Sequence, residues 1–140
     1  MTAEELWSKS DLKGEYEAWA FGGAPDKLAK LVLERIKTAT CSAYELYVHK
    51  NEPTPQIGDY SVILDSRDDA VCIIQTTKIY IAPYSSCSAE HAYKEGEGDR
   101  SLSYWKKVHE EFFTDEMKSI NKDFDEDMLL IYEEFKVVYD

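Results

Sequence analysis

Two stretches of this chain gather residue types that can move protons. The first is "RIKTATCS", Arg35 to Ser42, in which Lys37 is followed by hydroxyls at Thr38, Thr40 and Ser42. A buried lysine beside a hydroxyl acts as its general base when loss of solvent lowers the lysine pKa. A lysine that stays charged stabilises an oxyanion instead. The second stretch is "KEGEGDRS". Its carboxylates Glu95, Glu97 and Asp99 alternate with Gly96 and Gly98, and Arg100 closes the group. Carboxylates this close repel one another unless a cation lies among them. Arg100 and Lys37 are the candidates. A carboxylate held near a lysine and a hydroxyl makes a usable acid–base set.

Each stretch also has a plainer reading. A lysine at a helix end compensates the helix dipole, and threonines favour strands. The glycine-rich stretch reads equally as a turn with Asp99 or Ser101 as helix N-cap. In "WAFGGAPDK", Trp19 and Phe21 precede Gly22, Gly23 and a helix start. That is either an aromatic platform beside an anion-friendly amide cluster or simply core. His109 falls on an apolar helix face and reads as a core histidine. Cys41 has no neighbour that marks a lowered thiol pKa. Tyr44 and Tyr47 line a pocket or pack.

The elements around these residues set whether they meet. In a strand, Lys37 and Thr40 would point to opposite faces, so the chain must bend between them. "TAEELWSKS" reads as a short helix with a Thr2–Glu5 capping box. "GAPDKLAKLVLERIK" reads as a helix with Pro25 in its first turn and a stripe of Leu28, Leu31, Val32 and Ile36, stopping near Lys37. "AYELYVHKNEP" is a further short helix. "IGDYSVILDS" and "AVCIIQTTKIYIA" read as strands joined by the turn "SRDD". "SSCSAEHAYKE" and "SLSYWKKVHEEFF" read as helices, the second with Leu102, Trp105, His109 and Phe112 on one side. "MLLIYEEFKVVY" reads as a closing strand with a bulge at Glu133–Glu134. This order predicts an α+β fold with a curled, mostly antiparallel sheet and segregated helices.

The 140 residues suit one domain, 1–140, with 1–18 as an N-terminal helical extension. Hydrophobic residues at 44% and aromatics at 13% are a globular composition. The formal charge is −12, and residues 91–140 hold 14 acidic against 7 basic groups. That balance argues against a broad grip on RNA or DNA and against anionic membranes, though not against a local contact. No apolar run reaches the roughly 20 residues a membrane span needs, and the N-terminus lacks a signal-peptide pattern. Cys41, Cys72 and Cys87 lack CxxC spacing, and the histidines do not cluster with them. A cytoplasmic protein without a metal or cofactor is expected.

At these residues the chain resembles the ASCH domain family, in its small bacterial stand-alone branch. The matching pieces are "WAFGGAPDKLAKLVLERIKTATCS", "QIGDYSVILDS", "AVCIIQTTKIYIAPYSS", "HAYKEGEGDRSLSYWKKVHEEFF" and "FKVVY", in family order. The resemblance implies a PUA-like, barrel-like sheet with flanking helices and a pocket between them. It implies a nucleoside- or RNA-related role, and in one member type the hydrolysis of N4-acetylcytidine. The "KTxT" lysine and threonine then fall on Lys37 and Thr40, and the glutamate after "HA" falls on Glu95, with Glu97 as the alternative. Thr40 would be the nucleophile, Lys37 its activating base and Glu95 the proton shuttle or orienting acid. Phe21, Gly22, Thr38, Ser42, Glu97, Asp99 and Arg100 would contact substrate. Two positions depart from the family: Arg35 stands where a glycine is usual, and Ser42 where an arginine is usual. The second removes a positive contact, for which Arg100 is a replacement. The alternatives to the hydrolase are an RNA-binding module or ribonuclease using the same pocket, and a ligand sensor without turnover.

Overall fold

Thr2 starts the first helix as the capping box requires: its Oγ1 accepts from Glu5 N at 3.1 Å, and its own N donates to Glu5 Oε1 at 3.3 Å. The computed structural model describes all residues, Met1–Asp140. Helix α1 (Ala3–Ser10) buries Leu6 against Val62 and Ile73. Strand β1 (Tyr16–Ala20) follows, then α2 (Pro25–Leu33), β2 (Ala39–Ala43) and α3 (Tyr44–Lys50). Strands β3 (Tyr60–Leu64) and β4 (Ala70–Pro83) form the hairpin expected around "SRDD". A 3-10 turn at Tyr84–Ser86 leads to α4 (Ala89–Glu95), α5 (Leu102–Lys118) and β5 (Leu129–Tyr139).

The five strands make one sheet in the order β1-β3-β4-β5-β2, with β1–β3 parallel and the other pairs antiparallel. Register shifts between Ile63 and Leu64, between Ile73 and Ile74, and between Thr76 and Lys78 curl it into a half-barrel. The fold is therefore α+β with a curled sheet, as the element order predicts. Helix α2 seals one core with Leu28, Ala29 and Val32 against Ile63, Ile74 and Phe135. Helices α4 and α5 seal another with Ala92, Trp105, Phe113 and Met117 against Leu130 and Tyr132. No helix is long and apolar enough to cross a membrane.

Three details differ from the sequence reading. Helix α2 ends at Leu33 rather than near Lys37, because Arg35 turns left-handed at φ 60°. That conformation strains a side-chain-bearing residue and suits glycine. Arg35 is held by hydrogen bonds from Nη1 to Leu33 O and Asp140 Oδ2. Second, the bulge expected at Glu133–Glu134 lies across the ladder. Glu133 and Glu134 pair regularly with Ile79 and Lys78, and Thr77 is the extra residue on β4. Third, the sequence marks no strand at 16–20, yet β1 supplies the parallel edge of the sheet.

The glycine-rich stretch has a structural reason. Gly96 ends α4 at φ 76°, and a Cβ there would meet Ile36 O at 2.7 Å. Ser101 caps α5 by accepting from Tyr104 N at 3.1 Å, and Asp99 Oδ1 accepts from Ser101 N at 2.9 Å. We expect Gly96→Ala to cost about 2 kcal/mol or more in denaturant unfolding, from left-handed strain plus a clash with rigid backbone.

Candidate functional site

After α2 the chain doubles back, with Ile36 N and Lys37 N both donating to Leu31 O. It then docks on the end of α4: Thr38 N donates to Lys94 O at 2.8 Å, and Arg100 Nη2 donates to Ile36 O at 3.2 Å. This junction lets Lys37 and Thr40 line one cavity. The lysine is 2% exposed. Its Nζ donates to Ala39 O at 2.9 Å, Glu95 Oε1 at 3.3 Å and Glu97 Oε2 at 3.4 Å, and lies 5.3 Å from the centre of the Phe21 ring.

Glu95 is 1% exposed and fully partnered. Its Oε2 accepts from His91 Nε2 and Trp105 Nε1, each at 2.8 Å. Its Oε1 faces Lys37 Nζ and, at 3.5 Å, His109 Nε2. Burial works to raise the Glu95 carboxyl, but the Lys37 charge and the His109 and His91 hydrogen bonds hold it well below the usual carboxylate range. Nearby, burial pushes the Cys41 thiol well up, and the Glu95 charge adds to that. Cys41 is thereby a poor nucleophile.

These groups open on a cavity of about 1120 Å³, lined on its other sides by Trp19, Phe21, Gly22, Thr40, Ser42, Tyr47 and Phe112 among others. Its wall carries eight carboxylates (Glu15, Glu17, Glu52, Asp59, Glu95, Glu97, Glu116 and Glu133) against two lysines, Lys27 and Lys37. Of the residues singled out from sequence, Lys37, Thr40, Glu95, Phe21, Gly22, Ser42 and Glu97 share this cavity. Thr38, Asp99 and Arg100 do not line it. Thr38 ties β2 to α4 and β5 through its backbone. Asp99 braces the α5 cap. Arg100 Nε donates to Tyr93 O at 2.9 Å, and its guanidinium stacks 3.6 Å from the Tyr93 ring, so it ties the loop down from behind.

Sequence reasoning did not assign His91, Trp105 and His109 to Glu95. The available signal was spacing: His91–Glu95 and Trp105–His109 are each four apart on helices, so each pair shares a face. Two sets could offer metal ligands, Cys41–His91–Glu95 and Glu95–Glu97–His109, with ligand atoms within 4.8 Å of one another. Lys37 already contacts both carboxylates, and a divalent cation there would face its charge directly.

His109 Nδ1 donates to Trp105 O at 2.8 Å while Nε2 faces Glu95, so the doubly protonated ring fits both acceptors. Burial opposes that charge, but the Glu95 hydrogen bond and charge, with Glu97, raise its pKa above the ordinary 6.5. A folded value above the unfolded one gives stability that is fully present below the unfolded value and lost as pH rises through the folded one. We expect His109→Gln to cost about 2 kcal/mol at pH 6, with the gap to wild type narrowing as pH rises past neutral in denaturant titrations.

A family model described as the ASCH domain matches residues 17–139. An ASCH domain from Lactobacillus crispatus JV V101 superposes with a TM-score of 0.90 at 32% identity, covering 98% of this chain and 94% of that one. Protein EF3133 from Enterococcus faecalis V583 gives 0.88 at 34% identity, covering 97% and 87%. The hypothetical protein PH0355 gives 0.57 at 12% identity, covering 87% and 97%, a likeness of fold alone. No curated protein matches the chain. With its curled PUA-like sheet and this match over nearly its whole length, the chain belongs to the ASCH domain family.

Proposed function

We propose that this protein hydrolyses an amide on a modified cytidine-like nucleoside, of which N4-acetylcytidine is the test case. The observation that carries this reading is the buried Lys37 Nζ, held between Glu95 and Glu97 in a cavity that also takes in Thr40. These are the residues that the family resemblance implies for such a reaction. The aromatic walls at Trp19, Phe21 and Phe112 suit a stacked base. The eight carboxylates weigh against a phosphate-tracking RNA module.

In this mechanism the residues divide the work. Glu95, saturated by its four partners, orients Lys37. Glu97, its side chain 18% exposed, takes a proton from the Lys37 ammonium, and the amine then takes the Thr40 hydroxyl proton. Thr40 Oγ1 attacks the acyl carbon, the C–N bond breaks, and Lys37 returns its proton to the leaving nitrogen. Water then hydrolyses the threonine ester to free acid, Thr40 recovers its proton from that water, and Glu97 returns its proton to the Lys37 amine.

We expect purified protein to release cytidine from N4-acetylcytidine, followed by chromatography. Thr40→Val, which keeps the side-chain shape, should lower kcat at least about 100-fold with an unchanged melting temperature. Lys37→Ala should also abolish turnover, and it should cost about 3–5 kcal/mol of stability, because Glu95 loses its buried counter-charge. Turnover undiminished in Thr40→Val would sink the assignment of the nucleophile.

A further inference from the structure

Of the cavity carboxylates outside the Lys37 cluster, one stands next to Thr40 in the sheet. Glu133 sits on β5, between β4 and β2, where it is the cross-strand partner of Thr40. Directly opposed residues share a sheet face, so its side chain stands beside Thr40 on the cavity side. Its Oε1 accepts from Thr76 Oγ1 on β4 at 3.4 Å. Neither lysine of the cavity forms an ion pair with it, since Lys37 is spent on Glu95 and Glu97.

We propose that Glu133 is a specificity-determining residue of this cavity, using its carboxyl to bind the adjacent acceptor and donor on the edge of an uncharged amide- or amidine-bearing ring. A neutral carboxylic acid offers one O–H donor and one carbonyl acceptor side by side. Ring N3 and the exocyclic N–H of a cytosine present the complementary pair. The surroundings favour that neutral form. Burial pushes the Glu133 carboxyl up to about 7, against the Thr76 hydrogen bond, and the Asp59 charge adds to the rise. The titratable groups that share its cavity are Asp59 ahead of β3, Tyr47 on α3, Glu15 and Glu17 at β1, Lys27 on α2, Glu52 after α3, Glu116 on α5, and the Lys37–Glu95–Glu97–His109 cluster; of these, Asp59 acts on its charge. Burial keeps the Tyr47 hydroxyl protonated throughout this range by raising its pKa further. The bulge at Thr77 lies on the partner strand, so the ladder at Glu133 stays regular and its direction is fixed. The proposal rests on the hydrolase reading for the identity of the ligand, not for the existence of the subsite.

The test uses protein carrying 13C-labelled glutamate carboxyls, with the Glu133 resonance assigned from Glu133→Gln. In the free protein it should titrate near neutral pH. Saturating cytidine or N4-acetylcytidine should shift that titration upward, because the ligand selects the neutral acid. In turnover assays Glu133→Leu should raise KM at least about 10-fold. Glu133→Gln, whose carboxamide keeps the donor–acceptor pair, should recover most of that loss. It should also remove the rise in wild-type KM between pH 6 and 8. A Glu133 resonance that neither ligand moves overturns the proposal, even if N4-acetylcytidine is hydrolysed. A resonance that responds while no cytidine is released overturns the hydrolase reading and leaves this subsite standing. Failure of both observations overturns both.

Discussion

A lysine and a glutamate can share a nearly water-free site only if every charge and lone pair finds a partner. Moving either ion out of water costs several kcal/mol, and the attraction between the two offsets this only in good geometry. Here the geometry comes from four elements. The α2–β2 junction delivers Lys37, α4 delivers His91 and Glu95, α5 delivers Trp105 and His109, and the turn after α4 delivers Glu97. Each local device nearby serves that convergence. Gly96 lets the turn lie on Ile36, Arg100 clamps it from behind, and the Thr38–Lys94 hydrogen bond sets the distance between β2 and α4.

The same cavity keeps its carboxylates in two different states. Glu95 is buried and ionised, because its neighbours donate to it. Glu133 is pushed toward neutrality by burial, against one hydrogen bond from Thr76 and with no cation beside it. Separated environments for similar groups are what the proposed division between proton handling at Lys37 and ligand recognition at Glu133 requires. The overall charge of −12 does not reveal this, since it counts both glutamates alike.

Much of the architecture could be read from the sequence where the cause is local. The Thr2–Glu5 box, Pro25 at a helix start and the β-forming runs in 60–64 and 70–83 each act within a few residues. The rest depends on partners far along the chain. Strand β1 has only the modest pattern "YEAWA" and takes its pairing from β3. The apolar period of α2 runs on through Ile36, but Arg35 turns the chain first. The bulge at Thr77 is a property of two strands, not one. At the site, residues 35–42 and 94–101 stand out by residue type, yet two cations could answer the carboxylates. Lys37 goes to Glu95 and Glu97, and Arg100 goes to carbonyls. His109 lies on the buried face that its periodicity indicates, but burial and ion pairing coincide there, and periodicity reports only the first.

Strand β2, which carries Thr40 and follows directly from Lys37, is an outer strand of the sheet. Its ladder partner is β5, the last strand in sequence order. During synthesis, residues 37–43 therefore emerge long before the backbone that will pair with them. An unpaired strand is a template for wrong pairing with other chains, and a charged lysine at its head is one of the ways proteins blunt such an edge. In the folded chain, with β5 paired to β2 and α4 over the junction, that same charge lies inside.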